Sequence, residues 1–220
     1  MLELAAASGC TLMSIGFESI TRSTLTSVHK HVNRPETFVS LVEKVHSYGI
    51  MVFGLFMYGF DGDDRAVFDD TVKFNIDAKY DACAYSVLTP YPGTLTWYEM
   101  KRAGRIVSFD WTMYDQGHVV YRPGGMLADE LRVGQDSAYA GFYSTPSIAS
   151  RFPFRGKRNR AQWMIYNLFM RRASRTEHID SIAAPTAEPN LAPMPPILPV
   201  KREWRAAVLE AAEGTGPHLM

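Results

Sequence analysis

The sequence predicts an α/β fold built from consecutive βα units. Three short apolar runs, at residues 11–17, 50–58 and 82–89, read as strands. Stripes of apolar residues at helical spacing separate them. Each run ends at a cluster rich in Gly, Pro, Asp or Glu. The order β-α-β-α-β-α implies a parallel sheet with right-handed crossovers.

The elements follow in turn. Met1-Leu-Glu-Leu-Ala-Ala-Ala reads as the end of a helix. Thr11-Leu-Met-Ser-Ile-Gly-Phe17 is the first strand, followed by Glu18-Ser19. Residues 36–48 form an amphipathic helix with Phe38, Leu41, Val42 and Val45 on one stripe. Pro35 suits its first turn and Gly49 its end. The run Ile50–Tyr58 is nearly continuous, as in a parallel strand covered on both faces. Gly59-Phe-Asp-Gly-Asp-Asp64 is a turn, and Phe68, Val72 and Ile76 stripe the next helix. The third strand stops at Thr89-Pro-Tyr-Pro-Gly-Thr94. Pro90 and Pro92 cannot donate ladder hydrogen bonds, and Gly93 frees the backbone. Thr94 is placed to cap a helix bearing Trp97, Met100 and Ala103.

Beyond residue 105 the pattern changes. Ser108–Asp115 is aromatic and acidic, and His118-Val-Val-Tyr-Arg122 reads as a further strand closed by Pro123-Gly-Gly. Helices are expected from near Met126 to Phe142 and from near Arg160 to Arg175. Between Arg151 and Arg175 lie eight basic residues and no acidic one. Residues 183–199 are rich in Pro and Ala and read as a coreless linker. A short helix is expected over Arg202–Ala212. The organisation is therefore 1–125 for the βα units, 126–180 for a helical extension and 181–220 for a disordered Pro-rich tail.

Composition narrows the class. With 220 residues and 46% apolar content, a sizeable core can be buried. The 23 basic and 23 acidic residues cancel, so nothing points to nucleic acid. Two separated cysteines, Cys10 and Cys83, favour a reducing cytoplasm over a disulfide framework. No apolar run reaches the ~18 residues of a spanning helix. The first residues lack the basic segment of a signal peptide.

In parallel α/β folds the functional face lies at the carboxyl ends of the strands. Three clusters fall there: Gly16–Ser19, Gly59–Asp63 and Thr89–Thr94. Their ordered combination is more specific than any one. Ser14-Ile-Gly-Phe-Glu-Ser19, Leu25, Lys30-His-Val-Asn33, Tyr48–Gly54, Tyr58-Gly-Phe-Asp-Gly-Asp63 and Leu88-Thr-Pro-Tyr-Pro-Gly-Thr94 are its first carriers. Asp110-Trp111, Tyr114-Asp115, His118-Val-Val and Phe142-Tyr-Ser144 complete it. Over about 140 residues this set resembles the later part of the catalytic domain of radical S-adenosylmethionine (radical SAM) enzymes of the cobalamin-dependent type.

The resemblance implies the later half of a partial TIM-like barrel. It implies that Glu18 and Ser19 meet the ribose of SAM. Gly59, Asp61 and Asp63 would support the neighbouring part, and Thr89, Pro90, Tyr91, Pro92 and Gly93 would form the adenine edge. It also implies a [4Fe–4S] cluster and cobalamin in the complete enzyme; the substrate is expected to be a small molecule or lipid-like, the lipid option resting on the amphipathic segment at 155–175. The family holds its cluster with C-x-x-x-C-x-x-C, since thiolates are the ligands. Cys10 and Cys83 stand 73 positions apart and lack that spacing. The expectation is a truncated or split portion that positions SAM and substrate and is inactive alone. The alternative is a non-catalytic subunit that assembles with a separately encoded, cluster-bearing amino-terminal half, recruited at the open edge of the first strand.

Plainer readings stand beside these. Glu18 also suits a helix-capping carboxylate. Asp61, Asp63 and Asp64 also suit an ordinary Asp-Gly turn or, less well, a calcium loop. Pro90–Gly93 also suits a mere strand end. His118 reads as a packed core histidine, the cysteines as buried apolar residues, and Trp111, Tyr114 and Tyr121 as aromatic packing. The basic helix at 155–175 reads as a solvated face, with membrane-surface contact as the sharper option.

Overall fold

The computed structural model describes residues 1–28, 30–176 and 185–187. Helix α1 (Leu2–Ala7) leads into β1 (Leu12–Glu18), then α2 (Arg22–Ser27) and α3 (Pro35–Ser47). Strand β2 (Met51–Tyr58), α4 (Ala66–Asp77), β3 (Ala82–Val87) and α5 (Leu95–Arg102) follow. After a 3₁₀ turn at Trp111–Met113 come α6 (Ala128–Phe142), α7 (Thr145–Arg151) and α8 (Arg160–Thr176). The strands form one parallel sheet in the order β1-β2-β3. The βα alternation and all three strands match the sequence reading. Helices α2 and α7 do not figure in it, because both are too short for a periodic stripe.

Alternation along the strands builds the core. Phe17, Phe56, Tyr58 and Tyr85 point to one face, where Phe17 and Phe56 stack at 5.6 Å and so do Tyr58 and Tyr85. Helices α3, α4 and α6 cover that face with Phe38, Val42, Phe68, Leu131 and Phe142. Each such buried aromatic or aliphatic side chain contributes about 1.5–3 kcal/mol. The opposite face is different. Ser14 and Gly16 are exposed there, and Leu55, Met57, Ala84 and Ser86 are half-buried. Helix α8 covers only one end of it, through Trp163 against Met51 and Tyr166 against Phe53. The expectation that β2 is covered on both faces is corrected: its apolar run continues onto a half-exposed face.

Both sheet edges carry information. Along the outer edge of β3, Tyr143 Oη accepts from Cys83 N–H at 3.0 Å and donates to Cys83 C=O at 2.7 Å. Tyr139 Oη accepts from Tyr85 N–H, and Gln135 donates to Tyr85 C=O at 2.6 Å. The backbone of Gln116 accepts from Val87 N–H. Gln135, Tyr139 and Tyr143 recur every fourth residue, so α6 presents them as a ladder that replaces a neighbouring strand. Along β1, Cys10 reaches Leu12 C=O, and Asn33 donates to the carbonyls of Gly16 and Phe17. Among the described residues no side chain bonds the backbone of Met13, Ser14 or Ile15.

The strand expected at 118–122 does not join the sheet. It lies antiparallel to residues 105–108, with Val107 N–H donating to Val120 C=O and Arg122 N–H to Arg105 C=O. The α6 ladder already occupies the edge it would need. Tyr114 and Tyr121 are buried in this region, whereas Trp111 is partly exposed. Thr186 bonds the backbone of Val107 and Phe109. The rest of the expected Pro-rich tail, and the helix expected at Arg202–Ala212, lie outside the described residues.

At the opposite end of the sheet a fully buried Arg151 holds α7 and α8. Its guanidinium donates to the carbonyls of Tyr80, Asp81 and Phe142, to Ser147 Oγ and to Asn167 Oδ1. It also lies 3.8 Å from the Phe142 ring centre. Among the described residues no helix is long and apolar enough to cross a membrane.

Candidate functional site

The carboxyl ends of β1, β2 and β3 bring the three expected clusters to one end of the sheet. At β1 the register slips between Gly16 and Glu18, a bulge that re-aims the strand end. Glu18 then takes φ = +66°, a left-handed conformation unusual for a residue with a Cβ. Its carboxylate pairs with Lys30 Nζ at 3.1 Å and stays partly accessible. Ser19 is buried, and its hydroxyl accepts from Thr21 N–H at 3.0 Å. Asn33 clamps the same strand end from the other side. The conformation of Glu18 has no signal in the sequence, since left-handed positions are inferred from glycine.

At β2, Gly59 has φ = +97°, and a Cβ there would fall 2.2 Å from Tyr121 Oη. That hydroxyl donates to Gly59 C=O at 2.6 Å, so a side chain at 59 would break the contact. Asp63 is buried, with Oδ2 accepting from Gly59 and Phe60 N–H at 3.0 and 3.1 Å. Burial outweighs those bonds and pushes its pKa up to about 6. Asp61 is held bidentately by Arg105 at 2.8 and 2.5 Å, which keeps its carboxyl below the usual range. Asp64 caps the first turn of α4 through Ala66 N–H. All three carboxylates thus have partners within the fold, which favours the Asp-Gly turn over a calcium loop.

At β3, Leu88 N–H donates to Tyr58 C=O, which carries the sheet register one residue past the strand. Thr89 is buried and bonds Val87 C=O through its hydroxyl. Pro90 is buried, whereas Tyr91, Pro92 and Gly93 are exposed. Gly93 has φ = +87° with nothing within 4 Å of a Cβ position. Thr94 caps α5 by accepting from Trp97 N–H, as its sequence position predicts. The result is a solvent-facing loop whose backbone two prolines restrict.

Beside the half-exposed face of β3 lies a cavity of about 560 Å³, between the 115–118 loop, α6 and α8. Asp115, His118, Gln135, Tyr139, Phe169 and Met170 are among its lining residues. His118 is therefore a cavity residue rather than part of the packed core, while Val119 and Val120 beside it are fully buried.

The residues present do not fit an iron–sulfur cluster. Cys83 is enclosed in β3, where burial raises its thiol pKa, and Cys10 donates to Leu12 C=O. A cluster needs thiolates converging on one point. Among the described residues no three His, Cys, Asp or Glu side chains converge as a metal site.

No family model matches the chain. It is similar to several bacterial proteins. It is 35% identical over 173 residues to bacteriochlorophyllide d C-12(1)-methyltransferase of Chlorobaculum tepidum, covering 79% of this chain and 37% of that protein. It is 31% identical over 115 residues to bacteriochlorophyllide d C-8(2)-methyltransferase of the same organism, covering 52% and 26%. It is 21% identical over 165 residues to the anaerobic magnesium-protoporphyrin IX monomethyl ester cyclase of Cereibacter sphaeroides, covering 75% and 26%. The chain thus spans about a quarter to two fifths of the length of these relatives. Two of the three are methyltransferases and one is a cyclase, and each carries the name of a tetrapyrrole.

Proposed function

We propose that the chain is the SAM- and substrate-positioning portion of a radical SAM enzyme that acts on a tetrapyrrole. The observation that carries this is the 35% identity to a bacteriochlorophyllide methyltransferase across 79% of the chain. In this reading the ends of β1, β2 and β3 hold ribose, the neighbouring part of SAM, and adenine in turn. Glu18 and Ser19 meet the ribose hydroxyls. Gly59, Asp61 and Asp63 set the central backbone. Thr89 to Gly93 present the adenine edge. The sheet is the later half of a partial barrel, whose interior is the half-exposed face lined by Leu55, Met57 and Ser86. Bound SAM would supply the methyl group or the deoxyadenosyl radical, and cobalamin would take part in methyl transfer as in the type that the chain resembles.

The cluster-bearing cysteines in this reading belong to chain outside these 220 residues, and the portion is inactive alone. The edge asymmetry supports assembly with such a segment: β3 is sealed by the α6 ladder, whereas the middle of β1 has unbonded outward backbone among the described residues. A separately encoded half pairing with β1 is the second reading that this asymmetry favours. In this reading the protein resides in the cytoplasm, where cysteine thiols are kept reduced.

Calorimetric titration with SAM tests the positioning role. Saturable binding is expected, with Ser19→Ala weakening it about tenfold, or ~1.4 kcal/mol. Anaerobic reconstitution with iron and sulfide is expected to give no 5′-deoxyadenosine from the chain alone. Absence of saturable SAM binding, or cluster-dependent SAM cleavage by this chain, would contradict the proposal.

A further inference from the structure

The cavity beside β3 contains a pairing that the SAM site does not use. Asp115 accepts from the amides of Gly117 and His118 and lies 2.9 Å from His118 Nδ1 through both carboxylate oxygens. Two amides already donate to this carboxylate and Nδ1 faces both of its oxygens, so Nδ1 is the donor of that contact and carries the proton. That fixes the tautomer of the neutral ring with its lone pair on Nε2. A histidine that gives its second N–H to a carboxylate is the arrangement found around metal-ligating imidazoles.

The cavity walls are of two kinds. Tyr139, Phe169 and Met170 supply a broad apolar side, and Phe169 is 64% exposed. Gln116, Gln135 and the ion-paired Arg132 and Asp136 supply a polar side. The volume of about 560 Å³ lies within the range of small-molecule sites. A flat apolar ligand with polar substituents fits both walls. A magnesium- or zinc-bearing tetrapyrrole adds an open axial position at its centre, which a neutral imidazole fills.

We propose that His118 Nε2 is the axial ligand to the central metal ion of a tetrapyrrole substrate, oriented by Asp115. This rests on the tetrapyrrole reading above and deepens it. The ring would fix the macrocycle's height and tilt in the cavity. Phe169 and Met170 would contact the macrocycle's apolar surface.

The test is an absorbance titration of the full 220-residue chain with zinc protoporphyrin IX, and in parallel with metal-free protoporphyrin IX. Wild type is expected to bind both and to red-shift the Soret band of the zinc compound. His118→Ala is expected to lose that shift and bind the zinc compound about tenfold more weakly, while its affinity for the metal-free compound stays within about twofold. Added imidazole should restore the shift in His118→Ala, which a merely structural role would not produce. An unchanged shift and affinity in His118→Ala would overturn the axial assignment and leave the tetrapyrrole reading standing. Failure of wild type to bind either porphyrin would overturn both.

Discussion

Glu18 occupies the left-handed region at φ = +66°, where a Cβ costs roughly 1–2 kcal/mol. Strain of this kind persists where the surroundings over-determine it, often at ligand sites. Here the bulge before it and the Asn33 clamp do so. Glu18→Gly is therefore expected to keep the chain's stability or raise it by up to about 1 kcal/mol, while SAM affinity falls about tenfold. The lost ion pair with half-exposed Lys30 matters little to stability. Urea unfolding beside calorimetry checks both halves, and a variant clearly less stable than wild type would refute the strain argument. Asp63 gives a second prediction. Its folded pKa, about 6, lies above the ordinary value near 3.9 of an unfolded chain. The native state therefore binds more protons between those values, and stability falls as pH rises from about 4 to about 6. The change is on the order of 3 kcal/mol and flattens above that window. Asp63→Asn should remove this slope in urea midpoints measured from pH 4 to 7, and a slope that persists would assign it elsewhere.

The helices do different work around the sheet. Helix α6 ends the sheet, because Gln135, Tyr139 and Tyr143 satisfy the outward backbone groups of Cys83 and Tyr85. Helices α7 and α8 hang on Arg151, whose charge is buried among five acceptors. Removing it leaves those acceptors unpaired, and Arg151→Met is expected to cost about 3–5 kcal/mol in urea unfolding. Arg151→Lys should recover little, since an ammonium cannot reach the same forked set. A loss under 1 kcal/mol for Arg151→Met would mean that α8 docks by its apolar contacts alone. These elements also mark the limit of the sequence. The strands, α3 and the Thr94 cap are legible because periodicity and capping chemistry are local. The Gln135–Tyr139–Tyr143 ladder also has a periodic signal, at i, i+4 and i+8, but its polar atoms read as surface residues until the strand edge is in place. The 118–122 run misleads for the same reason, since nothing local says which edge is free.

At the scale of the whole molecule, one sheet face is a finished core and the other is half-covered. The three strand-end clusters sit at the end of the sheet remote from Arg151, with the cavity beside the half-covered face. The sequence places Gly16–Ser19, Gly59–Asp63 and Thr89–Thr94 at strand ends, and the structure brings those ends together. Asp115 and His118 stand out in the sequence only as part of a longer pattern, because the cavity they line is made by α6 and α8 far along the chain. Amide chemical-shift mapping of the ¹⁵N-labelled chain during SAM titration reads out whether the three strand ends form one SAM-binding wall. Saturable shifts clustered at Glu18–Ser19, Gly59–Asp63 and Thr89–Gly93 are expected. Saturable shifts confined to other regions, or none at all, would contradict it.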